Sequence, residues 1–316
     1  MRTAVLALAL AGCTTTATPA PRPPAPSGEP VPASFVPVSA DFATRQRGWV
    51  LGRAADLAGV AATEDGGRTW TYLGAIPAVT AGDPGVTRVR WDGATVWALG
   101  SVAAHHQGTH WVQASPAGRD VVSVAAPGEG SLSLLGFAGA QGVREAEVWL
   151  ALGDGEERLD RVPVAAFDDL ETRGGLYYRT AGGSFRASAD RGQTWATRTA
   201  CDDALLDLAG VAPRQVYLLC AGSLRFSADG GRTATVRARR DLTGRRIAAN
   251  DRGAVVLAGP ALEVSNDGGR TFRTVPGAGP WSDPRFVDAT FATVVGPGGL
   301  YVTTDAGATW RPMRVR

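Results

Sequence analysis

One eight-residue pattern occurs five times in this chain of 316 residues. It reads S/T-x-D-x-G-x-T-W, and two copies end in alanine or phenylalanine in place of tryptophan. The copies occupy residues 63–70, 188–195, 227–234, 265–272 and 303–310. A pattern that recurs at a fixed interval strongly constrains the fold, because each repeated unit then buries its apolar face against its neighbours.

The spacing of the aspartates gives the length of the unit. The last four are 39, 38 and 38 residues apart, at Asp190, Asp229, Asp267 and Asp305. Asp65 precedes Asp190 by 125 residues, which leaves room for two degenerate copies, and we assign these to residues 106–111 and 154–159. Residues 34–316, 283 in all, then hold seven units of about 40 residues, the length of four short strands.

Turn residues place the pattern within the unit. In the sixth unit, alternation and turn signals predict strands at 246–249, 254–258, 262–265 and 271–275. The pattern therefore falls at the tip of the hairpin between the third and fourth strands. Its aspartate is expected to accept hydrogen bonds from the loop, and its aromatic residue to pack between sheets. The residues in these structural roles are Asp65, Trp70, Asp190, Trp195, Asp229, Asp267, Phe272, Asp305 and Trp310.

The pattern resembles the Asp-box, or BNR repeat, of the sialidase superfamily. Residues 35–38 and 47–52, ahead of the first copy, are similar to the photosystem II assembly-factor-like propellers. The resemblance implies an all-β fold, a seven-bladed β-propeller of four-stranded antiparallel blades over residues 34–316. A catalytic sialidase would carry an Arg-Ile-Pro motif ahead of the first box. This chain has no such motif, and we assign no catalytic residue.

The first 33 residues predict an export signal and a tether. An apolar run over 4–10 is too short to span a bilayer, which needs about 20 residues. Residues 10–13, Leu-Ala-Gly-Cys, resemble the lipobox of bacterial lipoproteins. We therefore expect a signal peptide over 1–12, a lipidated Cys13 and a Thr/Pro-rich tether over 13–33. The alternative is an ordinary signal peptide. Lipidation would anchor the protein to the outer face of the bacterial cytoplasmic membrane. In a bacterium with two membranes, the anchor would be on the periplasmic face or in the outer membrane.

The other two cysteines suit an oxidising compartment. Cys201 and Cys220 flank a predicted hairpin, where a disulfide would stabilise the fold by about 3 kcal/mol in the chain-entropy model. The alternative is a pair of buried free thiols.

The three histidines, His105, His106 and His110, lie within six residues, at one degenerate copy of the pattern. His106 and His110 have a spacing that metal sites use on helices, but they fall in a predicted hairpin without a third ligand nearby. A decayed box is the favoured interpretation over a metal site. We expect no metal and no cofactor.

Charge excludes one class of partner and suggests a binding face. The net charge of +2 offers no large basic field for nucleic acid. Propeller ligands usually bind at the loops that join the fourth strand of one blade to the first of the next. Arginine forks in such loops can hold carboxylates or phosphates, although a solvated loop paired with nearby acids is the simpler interpretation. The candidate residues are Arg239, Arg240, Arg245, Arg246, Asp202, Asp203 and Asp283.

These observations favour a membrane-anchored, monomeric, non-enzymatic binding or assembly scaffold for an unknown protein or glycan. The alternative is a sialidase-like glycoside hydrolase acting on surface glycans. Its acidic pair, drawn from Asp202, Asp203 and Asp283, would need carboxyl groups about 5–9.5 Å apart.

Overall fold

The computed structural model describes residues 29–316 except 56, 77–84, 101–102, 114–119, 126–131, 139–144, 153–154, 164–169, 172–175, 180–183, 189–193, 200 and 213; from 120 to 179 it describes the backbone alone. Regular structure in this part of the chain is β-strand throughout, as predicted. None of the described residues forms a helix with the length and apolar character needed to cross a membrane.

The described strands form seven antiparallel sheets of four consecutive strands each. Sheet 1 has β1 (Val36–Phe42), β2 (Gly48–Ala54), β3 (Leu57–Thr63) and β4 (Thr71–Ala75). Sheet 2 has β5 (Val86–Trp91), β6 (Val96–Gly100), β7 (Ala103–Gln107) and β8 (His110–Gln113). Sheet 3 has β9 (Asp120–Ala125), β10 (Leu132–Ala138), β11 (Glu145–Leu152) and β12 (Gly155–Pro163).

Sheet 4 has β13 (Leu170–Glu171), β14 (Leu176–Arg179), β15 (Ser184–Ser188) and β16 (Ala196–Thr199). Sheet 5 has β17 (Leu205–Ala212), β18 (Gln215–Cys220), β19 (Ser223–Ser227) and β20 (Thr235–Arg239). Sheet 6 has β21 (Arg246–Ala249), β22 (Val255–Ala258), β23 (Glu263–Ser265) and β24 (Arg273–Thr274). Sheet 7 has β25 (Ser282–Phe286), β26 (Ala292–Gly296), β27 (Gly299–Thr303) and β28 (Arg311–Met313).

Each sheet is a meander, so its loops alternate between two ends. The loops between first and second strands and between third and fourth strands share one end, which we call the box end. The remaining loops lie at the opposite end, which we call the funnel end. In sheet 6 the four strands agree with the sequence prediction to within two residues at each boundary.

The first strands of successive sheets contact one another. The contacts run from β1 to β5, β9, β13, β17, β21 and β25, and β25 in turn contacts β1. The last sheet therefore packs against the first, although nothing covalent joins them there.

The core lies between the sheets. Successive residues of a strand face opposite sides, so each sheet offers apolar side chains to both neighbours. The cluster between sheets 7 and 1 contains Phe42, Trp70, Phe291, Leu300 and Met313. Similar clusters lie between sheets 1 and 2, 5 and 6, and 6 and 7.

Cys201 and Cys220 form the predicted disulfide, with an S–S distance of 2.02 Å and a Cα–Cα distance of 5.6 Å. The two cysteines are not paired across adjacent strands, however. Cys220 lies opposite Leu205 in the β17–β18 ladder, and Cys201 precedes β17. The bridge thus ties the loop that enters sheet 5 to its second strand.

Candidate functional site

We call the loops that contain the repeated pattern the box loops, and the first shows their geometry. The Asp65 carboxylate accepts hydrogen bonds from the Thr69 amide (2.9 Å) and hydroxyl (2.6 Å) and from the Arg68 amide (3.0 Å). The Thr63 hydroxyl donates to Asp65 at 2.9 Å and accepts from the Gly67 amide at 2.9 Å. These bonds, led by that of the Thr69 hydroxyl, lower the pKa of Asp65 to about 2.

The same arrangement recurs around Asp229, Asp267 and Asp305. Asp190 lies outside the described residues. Because each described carboxylate already binds its own loop, these aspartates hold the hairpin tips in place.

The aromatic residues of the box loops lie in or against the clusters between sheets. Trp70 is buried beside Phe42, with ring centroids 6.4 Å apart. Phe272 packs against the cluster between sheets 5 and 6, and Trp310 against the one between sheets 6 and 7. Trp195 is half-buried.

The two degenerate copies also lie between third and fourth strands, as tight hairpins. Gln107 pairs with His110 in sheet 2, and Leu152 pairs with Gly155 in sheet 3. Asp154 lies outside the described residues. A two-residue connection has no room for a box loop.

Two of the three histidines point to opposite faces of one strand. His105 and His106 are consecutive in β7, so their rings point to opposite faces, towards Trp97 and Trp111 respectively. Burial lowers the pKa of both. Among the described residues, the one group of side chains close enough to share an ion is Cys201, Asp203 and Cys220, whose sulfurs are bonded to each other.

The arginine loop, residues 240–245, joins β20 to β21 at the funnel end. Arg240 binds Glu263 through two nitrogens, at 2.8 and 2.9 Å, and its guanidinium lies 4.6 Å from the centroid of the Phe272 ring. Arg245 binds the same carboxylate. Asp241, an acid within the loop, accepts from the Thr243 amide at 2.9 Å.

Sequence reasoning missed Glu263. Its position at the start of a third strand, beside a funnel-end loop, was the signal that could have identified it. Arg239 is exposed and Arg246 is half-buried.

The three candidate acids are in separate environments. Asp202 pairs with Arg225, whose hydrogen bond and charge lower the pKa of Asp202. Asp203 accepts from the Gly222 amide at 2.7 Å. Both lie in the loop that enters sheet 5, whereas Asp283 lies in β25 of sheet 7 and contacts sheets 1 and 2.

Asp283 links three sheets and is mostly buried. It accepts from the Ser39 hydroxyl (2.7 Å), the Ala40 amide (3.1 Å) and Arg90 (3.1 Å). Burial would raise the pKa of Asp283, but the charges of Arg90 and Arg285 and these hydrogen bonds outweigh that effect and hold it below its usual range.

Several solved structures have a similar fold. No family model and no curated protein matches the chain. YCF48 from Cyanidioschyzon merolae is similar in structure, with a TM-score of 0.63 and 17% identity over 89% of this chain and 98% of that one. The fold is a β-propeller.

Two further solved β-propellers are similar to this chain. A structure of YCF48 bound to D1 peptide has a TM-score of 0.60 and 17% identity over 88% of this chain and 95% of the other. The WD40 domain of Neurospora crassa Pan2 has a TM-score of 0.61 and 10% identity over 88% and 91%. At these identities the likeness concerns the fold alone.

Proposed function

We propose that this β-propeller has seven blades, one for each four-stranded sheet, and that its box loops are Asp-boxes. The contacts around the first strands and the repeated hydrogen bonds of the box loops support both proposals. We further propose that Cys13, which lies outside the described residues, is lipidated and anchors a monomeric protein outside the bacterial cytoplasm. The disulfide suits that location.

The propeller acts as a non-enzymatic binding or assembly scaffold. The observation that carries this proposal is the state of the three candidate acids. A glycosidase needs a carboxylic acid of raised pKa facing a second carboxylate. Here Asp202 and Asp283 have lowered pKa values and belong to different sheets, and Asp203 is bound to a backbone amide.

The arginine loop is the proposed contact face. Glu263 pairs with both Arg240 and Arg245, so the two ends of the loop are tied to the same carboxylate at the funnel end. Arg239, at the end of β20, is exposed beside it. The YCF48 structure bound to D1 peptide supports a protein partner, since a propeller of similar fold is bound to a peptide in that structure.

Affinity capture from membranes tests this proposal. The anchored protein and its Arg239→Gln/Arg246→Gln variant are compared, with Arg232→Gln, an exposed arginine of a box loop, as the control. We expect a partner that the control retains and the double variant loses. Retention by both variants would reject Arg239 and Arg246, which flank the arginine loop, as part of the contact face.

A panel of sialosides and aryl glycosides tests the hydrolase alternative on the same protein. Turnover that disappears in Asp202→Asn or Asp203→Asn would refute the scaffold proposal.

A further inference from the structure

A basic cleft lies between the first and last sheets. It has a volume of about 470 Å³ and is bounded by the first box loop on one side and β28 with the residues after it on the other. Because the arginine loop joins sheets 5 and 6, this cleft is a separate surface.

Four exposed arginines line the cleft: Arg68, Arg311, Arg314 and Arg316. None of them forms an ion pair within the part of the chain that the structure describes. Elsewhere in that part Arg47, Arg90, Arg225, Arg240 and Arg245 all pair with carboxylates. The four arginines thus outnumber the one carboxylate, that of Asp65, that lines the cleft, and they give the cleft a net positive charge.

The acids near the cleft are already engaged. Asp65 lines it, but its oxygens accept bonds from the box loop. Arg45, a fifth lining arginine, binds Asp288 with two nitrogens, at 2.6 and 3.0 Å. This fork shows that a carboxylate can be held bidentately at the edge of the cleft.

The cleft also has an apolar floor beside a strand edge. Phe291 and Met313 line it from the buried side. From Met313 to Arg316, buried and exposed residues alternate, so arginines project from a chain whose apolar residues enter the core. Among the described strands, β28 pairs with β27 alone and is the last strand of its sheet. An extended peptide matches a groove of this kind, since its side chains alternate in the same way.

We propose that this cleft binds an extended acidic segment of a partner protein, with carboxylates on Arg68, Arg311 and Arg314 and apolar side chains on the floor. The proposal rests on the scaffold function and adds a second contact surface to it. Arginine is suited to this ligand because its planar fork matches a carboxylate.

Fluorescence anisotropy with the full chain tests the proposal directly. The probe is a labelled peptide in which glutamate and leucine alternate, and its matched control has glutamine in place of glutamate. The test variant is Arg68→Gln/Arg314→Gln. The control variant is Arg232→Gln/Arg252→Gln, in which Arg232 occupies the place of Arg68 in another box loop.

We expect saturable binding of the glutamate peptide, weakened at least roughly tenfold in the test variant, unchanged in the control variant and reduced by salt. Equal binding of the glutamine peptide, or equal loss in both variants, would overturn the proposal. Binding of heparin with no binding of the peptide would also overturn it, in favour of an anionic glycan. None of these failures affects the membrane-capture test, which concerns the arginine loop.

Discussion

At the scale of single residues, the glycine two positions after the aspartate in four of the box loops is a contact point between sheets. Gly67, Gly231, Gly269 and Gly307 all have φ between 81° and 88°. A Cβ atom at these positions would lie 2.1 to 2.8 Å from a side chain of the preceding sheet: Met313, Phe185, Leu224 and Val264 respectively. Glycine is therefore required at these positions for two reasons. It tolerates the positive φ, and it leaves room for the side chain of the preceding sheet.

The substitution Gly269→Ala should separate these two requirements when compared with Gly298→Ala. Both glycines have φ near +80°, but the Cβ of residue 298 would meet nothing within 4 Å, whereas that of residue 269 would lie 2.4 Å from the fully buried Leu224. Both changes strain the backbone by roughly 1–2 kcal/mol, and crowding adds about 1–3 kcal/mol at residue 269. Urea unfolding followed by tryptophan fluorescence measures the difference; equal losses would contradict the contact role.

At the scale of the strand, side-chain oxygens on the first strand of one sheet accept hydrogen bonds from backbone amides on the first strand of the next sheet. Ser39 and Asp41 in β1 accept from the amides of Val89 and Trp91 in β5, at 3.0 and 2.7 Å. Asp207 in β17 accepts from the Ile247 amide in β21 at 3.0 Å. First strands have a partner strand on one edge only, so these bonds satisfy amides that the ladder leaves open.

Asp283 in β25 likewise accepts a hydrogen bond from an amide of β1, and it also forms a buried ion pair with Arg90. The substitution Asp283→Asn should therefore be strongly destabilising. Arg90 and Asp283 have side chains only 4% and 15% exposed. Loss of the carboxylate charge leaves Arg90 buried without its partner, at a cost on the order of 3 kcal/mol. Asparagine tolerates the positive φ of 47° at this position, so backbone strain does not confuse the result.

The matched control is Asp202→Asn, which removes the same charge from a pair whose acid is 83% exposed. Its expected cost is much smaller, because an exposed ion pair is screened by solvent and contributes little to stability. Chemical unfolding of both variants gives the comparison. Similar costs would mean that Asp283 is an accessible funnel residue, as the sequence suggested, and not a link between sheets.

The sequence predicted local structure well at this scale and ion pairing poorly. Turn residues and alternation act within a few positions, which is why the strands of sheet 6 and the Cys201–Cys220 bridge could be predicted. Glu263 and Arg90 meet their partners through contacts between strands or sheets that no local pattern encodes. Charge-rich loops therefore identified a candidate face, but not which of its charges are already bound.

At the scale of the whole molecule, the fixed interval of the pattern predicted a propeller. A fixed interval indicates repeated units, each of which packs against the unit before it and the unit after it. The basic cleft was not predictable in this way. It forms where the two ends of the repeat array meet, between Arg68 in the first sheet and Arg314 after the last, 246 positions apart in the chain. Only closure of the ring brings those residues together.

The last sheet is held to the first by packing and not by a covalent link. Substitutions that destabilise the last sheet should therefore destabilise the first sheet as well. Met313 and Val315 are buried in the cluster with Phe42 and Trp70. The double variant Met313→Ala/Val315→Ala should lose roughly 2–5 kcal/mol, since it leaves a cavity at this seam. We expect faster amide hydrogen exchange in β1 as well as in β26 and β27, because all three strands contribute to that cluster or contact one another across it.

Leu257→Ala is the control, since Leu257 lies in the cluster between sheets 5 and 6. It should increase exchange in β17 to β22 and leave β1 protected. If the double variant increases exchange in sheet 7 alone, the first and last sheets do not support each other. The basic cleft between them would then lack the fixed geometry that holding an acidic segment requires.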